Sequence, residues 1–252
     1  MINSVKALSG WTWITQGAAL FRRRPLELSV IFFTYIFLNM ASCVLPFLPL
    51  LLAPAFSIGF LQAVRTVDLG GVVSPNLLFF GFRSRVLPKL LLLGALNFIG
   101  FLIAEMIASA VDGGALRAFV KATIATGGKL ATEPPDFSLW ENVFFLAYLP
   151  TIVALWYAAP LVVWQKMSAP KAVFFSFFSA LRIWPTFVVF ILSWLGLRML
   201  SGLLINLIGS ILGNDLMLTV IAFPISIMLI VVMYCSFYPA YTDVFGKPDD
   251  ED

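Results

Sequence analysis

The sequence has no histidine, two cysteines and only 12% charged residues among its 252 positions. A soluble domain carries about 25% charged residues, so half of the charge that normally solvates a folded surface is missing. Cys43 and Cys235 fall near opposite ends of long apolar segments, too far apart for a disulfide or a shared metal ion. Because histidine is the commonest metal ligand, we expect no transition-metal site.

Catalytic motifs are missing as well. The chain has no Gly-rich phosphate-binding loop and no paired carboxylates within one apolar segment, and the lack of histidine removes the usual general base. Its basic residues are distributed as membrane anchors and do not form a basic, aromatic groove for nucleic acid. We therefore expect a protein that is not an enzyme, uses no cofactor and binds no nucleic acid.

Long apolar runs take the place of these features. Hydrophobic residues make up 61% of the chain, and about 20 apolar residues in a row suffice for one membrane crossing. The sequence therefore predicts an all-α polytopic membrane protein with one membrane domain, residues 1–242. The six predicted transmembrane helices are 26–45, 48–67, 88–111, 143–165, 185–211 and 216–239.

The distribution of basic residues predicts the orientation of these helices. Twelve lysines and arginines fall on the side of the N-terminus and three, Arg117, Lys121 and Lys129, on the other. The positive-inside rule then places both termini in the cytoplasm of a bacterial inner membrane. The first arginine cluster follows an apolar stretch instead of preceding it, so we expect no cleaved signal peptide. Residues 243–252 are predicted to be a cytoplasmic acidic tail.

One short pattern, aromatic and basic residues followed by proline, occurs three times: "LFRRRP" (20–25), "FFGFRSRVLP" (79–88) and "FSFFSALRIWP" (175–185). Each copy precedes a helix that crosses away from the cytoplasm, and each proline suits the first turn of that helix. The segments before the prolines are predicted to be amphipathic helices in the cytoplasmic interface. Their predicted anchors are Arg22, Arg23, Arg24, Arg83, Arg85, Arg182, Phe79, Phe82, Phe174 and Phe177.

This recurrence divides the chain into three units, 1–67, 75–165 and 168–242, each an interfacial helix, an outgoing span and a returning span. The returning spans carry a second mark, the proline in "APA" (53–55), "AAPL" (158–161) and "YPA" (238–240). Gene triplication would explain the pattern. Independent convergence of interfacial helices on Pro, Phe and Arg is the alternative.

Polar residues within the apolar runs are the candidate functional residues, because an ionisable group at membrane depth is costly. At about 1.5 Å per residue, Glu105 and Arg198 lie about 25 and 20 Å from the cytoplasmic face, and Asn39 reaches a similar depth. We expect an intramembrane polar cluster of these three. It is either a structural Glu105–Arg198 pair or a cavity in which Arg198 binds an anion, unless Arg198 extends to the outer interface.

The loop 112–142 is the one sizeable external segment. Its stretch "ALRAFVKATIA" is compatible with a short amphipathic helix on the outer surface. If the protein has an envelope partner, this loop is where we expect the contact.

Three stretches resemble an uncharacterised group of six-span bacterial inner-membrane proteins: "GWTWITQGAALFRRRPLEL", "APAFSIGFLQAVRTVDLGG" and "SPNLLFFGFRSR". More distantly they are similar to YciC-type proteins and to the membrane region of some glycerophosphodiester phosphodiesterases. The resemblance implies location and fold and carries no catalytic residues.

Two functions follow as hypotheses. The first is a non-enzymatic inner-membrane protein that engages membrane lipids or an envelope partner. The second is a transporter or channel for a small anionic or amphiphilic solute. The scarcity of polar residues in the inner half of the spans favours the first, because it leaves no continuous hydrophilic path.

Overall fold

The computed structural model describes residues 5–45, 47–83, 85–127, 138–212 and 215–248. Within these ranges the chain forms ten α-helices and one 3₁₀ helix and no strand, which confirms the all-α prediction. The bounds are α1 Ser9–Arg23, α2 Pro25–Ser42, α3 Leu48–Asp68, the 3₁₀ helix Pro75–Phe82, α4 Leu87–Val111, α5 Ala115–Ala125, α6 Ser138–Leu155, α7 Ala158–Val163, α8 Ala169–Arg182, α9 Trp184–Leu212 and α10 Asp215–Phe245.

Six segments are long and apolar enough to cross a membrane, as the sequence predicts. They are Pro25–Ser42, Leu48–Asp68, Leu87–Val111, Ser138–Val163, Trp184–Ser210 and Ala222–Phe245. The first, third and fifth begin with a proline in the first two residues, at Pro25, Pro88 and Pro185. A proline is tolerated there because the first N–H groups of a helix have no intrahelical acceptor.

The helix α3 lies at the centre of the bundle and α9 at its edge. About 67% of the apolar window of α3 is buried in the protein, against 6% of that of α9. Besides α4, the helix α3 contacts α2, α7, α10, α1 and the 3₁₀ helix. The outward faces of the other spans carry the large exposed hydrophobic side chains that lipid would cover.

A short helix precedes the first, third and fifth spans, so the order of elements repeats three times. The three short helices differ, however: α1 and α8 are α-helices of 15 and 14 residues, whereas the middle one is a 3₁₀ helix of 8 residues. The common order is compatible with three repeated units, and their descent from one ancestor stays a prediction.

The first helix is packed more deeply than an interfacial helix. Trp13 is 1% exposed and its ring contacts Phe190 of α9. A Cβ atom at Gly17 would lie 2.7 Å from Ser236 Cα of α10, so the two backbones are in close contact. Leu8 and Trp11 of this segment are exposed, whereas the deeply buried face follows Gly10, Trp13 and Gly17. The spacing of hydrophobic residues does not reveal this buried face, because two of its members are glycines.

One end of the bundle, here called the basic end, carries α1, the 3₁₀ helix, α8 and the C-terminus of α10. At this end Asp68 pairs with Arg23 at 3.7 Å and with Lys247 at 2.8 Å. The indole N–H of Trp13 donates to Asp243 at 2.8 Å. Because α10 continues to Phe245 and Lys247 is held by Asp68, the segment predicted as a tail from residue 243 is docked at its start. Residues 249–252 lie outside the described ranges.

Candidate functional site

A cavity of about 290 Å³ opens near the middle of the bundle, between α2, α3, α4, α6, α7 and α10. Its walls are aromatic and aliphatic, with a few uncharged polar groups. They consist of Tyr35, Ala53, Pro54, Ser57, Phe60, Leu61, Leu93, Asn97, Ile152, Leu155, Trp156, Ala159, Pro160, Tyr234 and Phe237. The proline-containing segments 53–55 and 158–161, which the sequence marks as a recurring pattern, meet at this cavity.

Pro54 interrupts the hydrogen bonds of α3 on one side of the cavity. Because proline has no N–H, the carbonyl of Leu50 loses the donor that position 54 would supply. The Asn97 amide of α4 replaces it, with Nδ2 donating to the Leu50 carbonyl at 3.2 Å. The Tyr148 hydroxyl of α6 in turn donates to Asn97 Oδ1 at 2.6 Å. One amide therefore ties α3, α4 and α6 together at the break.

A second break lies across the cavity, between α6 and α7. Here the hydroxyl of Ser176, from α8, stands between the Tyr157 N–H and the Val153 carbonyl. It accepts from the former at 2.9 Å and donates to the latter at 3.3 Å. A side chain inserted into the helical hydrogen-bond ladder is one of the usual causes of a kink. Ser176 is fully buried, so this break is satisfied by protein and not by lipid or water.

Aromatic rings form the wall opposite these breaks. The ring centroid of Tyr35 lies 5.6 Å from that of Tyr234 and 6.4 Å from that of Phe60. Phe60 and Tyr234 are themselves 5.6 Å apart, which is the separation of an ordinary aromatic contact. The three rings connect α2, α3 and α10 and give the cavity a rigid apolar surface.

The chemistry available to this cavity is limited to shape, apolar contact and neutral hydrogen bonds. Among the described residues that line it there is no Asp, Glu, Lys, Arg or Cys. In the parts of the chain that the structure describes, no group of three or more acidic or cysteine side chains is placed to hold a metal ion. Such a cavity suits an amphiphile with an apolar body and uncharged polar groups.

The structure separates the predicted polar cluster of Glu105, Arg198 and Asn39. Glu105 pairs with Arg117, with Arg117 Nε 3.4 Å from Glu105 Oε1, and Ser109 donates to the same oxygen at 2.9 Å. The expected Glu105–Arg198 pair is wrong, because the turn Asp112–Gly114 brings α5 and its Arg117 back over the end of α4.

Arg198 and Asn39 lie elsewhere. Arg198 is exposed on α9 in a groove of about 320 Å³ between α9 and α10, beside Trp194 and Ser226. Arg198 forms no ion pair with any described residue. Binding of an anion by Arg198 stays a prediction. Asn39 donates to the Tyr35 carbonyl one turn earlier in α2, at 2.9 Å. Neither side chain is among the residues that line the central cavity.

The predicted interfacial anchors are divided between exposed and packed positions. Phe79 and Phe174 are exposed, whereas Phe82 is half-buried against Phe56 at a ring distance of 5.0 Å and Phe177 is half-buried as well. Leu78, in the same 3₁₀ helix as Phe79 and Phe82, is fully buried. The membrane depth of these side chains stays a prediction. The basic anchors Arg22, Arg23, Arg24, Arg83, Arg85 and Arg182 are all exposed.

The segment 112–142, which the sequence predicts to be external, contains α5, Ala115–Ala125, and this helix coincides with the stretch "ALRAFVKATIA". Val120 and Ile124 are exposed on it. Residues 128–137 lie outside the described ranges, and contact with an envelope partner stays a prediction.

The residues that sequence reasoning missed are Asn97, Tyr148 and Ser176. Each is a single polar residue among apolar neighbours, and none is charged. A signal was present: Asn97 is the only amide side chain in α4, and Pro54 and Pro160 mark helices whose carbonyls need donors from elsewhere. A search for neutral hydrogen-bond donors inside apolar segments would have found Asn97, but it would not have paired Asn97 with Pro54.

Comparison with known proteins places the chain among bacterial membrane proteins. It is 33% identical over 250 residues to a protein of Burkholderia thailandensis that is named a probable inner membrane protein, and the match covers 96% of this chain and 93% of the relative. The chain belongs to the family of that inner membrane protein. No family model matches the chain, and no solved structure matches it.

This inner-membrane family membership and the six apolar helices together define a multi-pass inner-membrane protein. The comparisons give no support to the more distant resemblance to YciC-type proteins or to glycerophosphodiester phosphodiesterases, which stays a prediction. The relative's name states no molecular activity, so the function rests on the site.

Proposed function

We propose that this inner-membrane protein is not an enzyme and binds a neutral, lipid-like amphiphile in the cavity at its two helix breaks. The observation that carries the proposal is the composition of the cavity. Aromatic and aliphatic side chains form most of its wall, and Ser57, Asn97 and the two tyrosines supply uncharged polar groups. Its volume of about 290 Å³ lies at the lower end of ligand sites, which suits part of an acyl chain or a small amphiphile.

The two breaks support a binding function. Helix interruptions at membrane depth are tolerated where protein satisfies the freed backbone groups or where they line a cavity. Here Asn97 and Ser176 satisfy them, and both breaks border the same space. Because Asn97 and Ser176 supply partners to backbone groups at the breaks, the cavity is compatible with a stable bundle.

We further propose that the basic end faces the cytoplasm, with both termini inside. The order of the spans along the sequence assigns twelve lysines and arginines to this end and three to the other. Cytoplasmic loops carry the excess of basic residues in inner-membrane proteins.

Binding of dioctanoylglycerol to the purified protein in a neutral detergent tests the proposed function. Isothermal titration is expected to give saturable binding to the wild type. Ala53→Phe fills the cavity and is expected to abolish the binding. The matched control Ala110→Phe adds the same ring at an exposed position of α4 and is expected to leave binding unchanged.

Thermal unfolding of both variants shows whether they are folded. If Ala53→Phe does not fold, the smaller Ser57→Val replaces it, because this change removes a polar group of the wall at nearly constant volume. Wild-type binding that is not saturable, or that survives in a folded cavity variant, would refute the proposal.

Transport of an amphiphilic solute is the second candidate, and the broken spans are the observation that favours it. Transporters place substrate sites at discontinuous helices near the bilayer midplane. A lipid-scrambling assay distinguishes a transporter from a binding protein. The purified protein is reconstituted into vesicles that contain fluorescent phosphatidylcholine. A transporter accelerates the exposure of inner-leaflet lipid to an external quencher and Ala53→Phe removes the acceleration, whereas a binding protein leaves the rate at that of empty vesicles.

A further inference from the structure

The groove between α9 and α10, of about 320 Å³ and here called the α9–α10 groove, holds a charged side chain far from both ends of its span. Arg198 lies fourteen residues after Trp184 and twelve before Ser210, which bound this span. At about 1.5 Å per residue these separations are about 21 and 18 Å. Arginine side chains extend to the membrane surface from positions near helix ends, and Arg198 is near neither end. Its guanidinium therefore needs a partner at the depth of the hydrocarbon.

The described part of the chain does not supply that partner. No Asp or Glu is among the described residues that line the groove, and the Arg198 side chain forms no hydrogen bond or ion pair with any described residue. Trp194 precedes Arg198 by one turn on the same face of α9. Its indole N–H is buried and has no acceptor among the described residues. Because guanidinium and indole are donors only, both side chains call for an accepting oxygen.

The remainder of the α9–α10 groove is largely aliphatic. Side chains of both helices contribute to it: Ile191, Leu195, Leu229, Ile230 and Met233. Only 6% of the apolar window of α9 is buried in the protein, so a molecule in the lipid phase reaches the groove without passing between spans. An apolar wall beside a single charge suits an apolar chain that ends in an anionic group.

From these observations we propose that the α9–α10 groove binds a single-chain amphiphile with a carboxylate head, such as a fatty acid. The guanidinium binds a carboxylate through two parallel N–H···O hydrogen bonds, and the one positive charge balances the one negative charge. The phosphate of a phospholipid is a poorer match, because it is confined to the headgroup region outside the hydrocarbon core.

This groove is separate from the site of the proposed function. It shares no lining residue with the central cavity, and its ligand is anionic, whereas the ligand proposed for the central cavity is neutral. The two proposals can therefore fail independently.

The experiment is isothermal titration of the purified protein in a neutral detergent with three probes: dodecanoate, dodecan-1-ol and dioctanoylphosphatidylglycerol. The alcohol has the same chain as dodecanoate without its charge, and the lipid carries a phosphate anion. Heats of mixing with protein-free micelles are subtracted. The wild type is expected to bind dodecanoate saturably and more tightly than either of the other probes.

Replacing Arg198 by glutamine removes the charge. This variant is expected to bind dodecanoate about tenfold more weakly, because hydrogen bonds between charged groups are the strong ones. Its melting temperature is expected to stay at that of the wild type, since the side chain has no partner in the described chain. The matched control Arg182→Gln removes an exposed cation outside the groove and is expected to change dodecanoate binding by less than about twofold.

A second pair of variants keeps the charge and changes the shape of the groove. Ile230→Phe narrows the groove and is expected to weaken dodecanoate binding. Its matched control is Met228→Phe, which adds a ring at an exposed position of α10 outside the groove and is expected to have no effect. This pair decides the question if Arg198→Gln does not fold. Ala53→Phe, which fills the central cavity, is expected to leave dodecanoate binding intact.

Three results would overturn the proposal. The first is dodecanoate binding that is as tight in the Arg198 and Ile230 variants as in their controls. The second is dodecan-1-ol that binds the wild type as tightly as dodecanoate. The third is phosphatidylglycerol that binds more tightly than dodecanoate with the same dependence on Arg198, which would show that the guanidinium reaches the headgroup region. Loss of dodecanoate binding in Ala53→Phe alone would contradict it as well, because the ligand would then occupy the central cavity.

Discussion

At the scale of single residues, the side chains that join the spans around the central cavity are uncharged. Asn97 uses both atoms of its amide, accepting from Tyr148 and donating to the carbonyl that Pro54 leaves free. The charged residues at membrane depth pair near an end of the bundle, as Glu105 does with Arg117, or are exposed, as Arg198 is. The cost of burying a charge explains this division, because a neutral amide needs only hydrogen bonds.

Replacing Asn97 by alanine is therefore expected to destabilise the purified protein by about 1–2 kcal/mol, the upper range of polar contacts in membranes. The change leaves two groups, the Leu50 carbonyl and the Tyr148 hydroxyl, without partners. Thermal unfolding in detergent measures the effect.

The matched control is Asn206→Ala, because Asn206 is exposed and donates only to the Gly202 carbonyl within its own helix. It is expected to have little effect. Tyr148→Phe combined with Asn97→Ala should cost less than the sum of the single changes, since both remove the same contact. Equal losses at Asn97 and Asn206 would show that Asn97 does not join the helices.

The partner of Glu105 can be tested in the same way. A double-mutant cycle of Glu105→Gln and Arg117→Gln is expected to show a coupling below about 1 kcal/mol, because the Arg117 side chain is largely exposed. A cycle of Glu105→Gln and Arg198→Gln is expected to be additive. Coupling in the second cycle and none in the first would restore the pair that the sequence suggested.

The depth of these polar residues could be read from the sequence, but their partners could not. Glu105 and Arg198 lie at similar distances from their helix starts, which says nothing of the direction in which each side chain points. In α4 and α9 nearly every position is apolar, so the pattern does not distinguish the buried face from the lipid face. The deciding element was the turn that returns Arg117 to α4.

At the scale of elements, close contact between backbones fixes α1 against the spans. Gly17 stands where a Cβ atom would overlap the backbone of Ser236, whereas a Cβ at Gly202 of α9 would meet nothing within 4 Å. Both glycines are inside helices, so alanine raises the helix propensity by the same amount at each. The packing differs, because only the Cβ atom at position 17 meets another backbone.

We expect Gly17→Ala to lower the stability by about 1–3 kcal/mol, the usual cost of overpacking. Gly202→Ala should be neutral or raise the stability, because alanine favours the helix by about 1 kcal/mol. Thermal unfolding measures both, and faster cleavage by trypsin after Arg22 or Arg23 would report that α1 has undocked. Equal behaviour of the two variants would mean that α1 is not held by this contact.

The spans were predictable as elements, because a run of apolar residues with a proline at its start leaves few alternatives. The sequence predicts where the three short helices before the spans occur, but not which of their side chains are buried. The 3₁₀ helix turns Leu78 inward, a change of face that no α-helical spacing predicts. The aromatic pattern identified the interface segments, and the glycines Gly10 and Gly17 decided how deeply α1 is packed.

At the scale of the whole molecule, the proposed orientation makes opposite predictions for the two ends. In a Cys43→Ser background, a membrane-impermeant maleimide added to intact spheroplasts is expected to label Thr126→Cys and not Asn76→Cys. Both positions are exposed, so only the side of the membrane distinguishes them. Lysed membranes should label both, and labelling of Asn76→Cys alone in intact spheroplasts would invert the topology.

The distribution of burial gives the molecule a centre and a periphery. The helix α3 contacts most other elements, while most of α9 faces outward. The first proposed site, the central cavity, lies on the central side, because Pro54, Ser57 and Phe60 of α3 line it. The apolar runs of the sequence predict the six spans. The position of the site in the bundle could not be predicted, because it depends on which spans pack together.

The hydroxyl of Ser176 also bears on the order in which the chain is assembled. Synthesis proceeds from the N-terminus, so residues 138–163 enter the membrane before Ser176 has left the ribosome. Until then the Tyr157 N–H lacks the hydroxyl to which it donates in the finished protein, and such a group is costly to leave unpaired in hydrocarbon. We therefore expect the fourth span to reach its final hydrogen bonding only when α8 docks, and a nascent chain that stops at residue 163 to lack this contact.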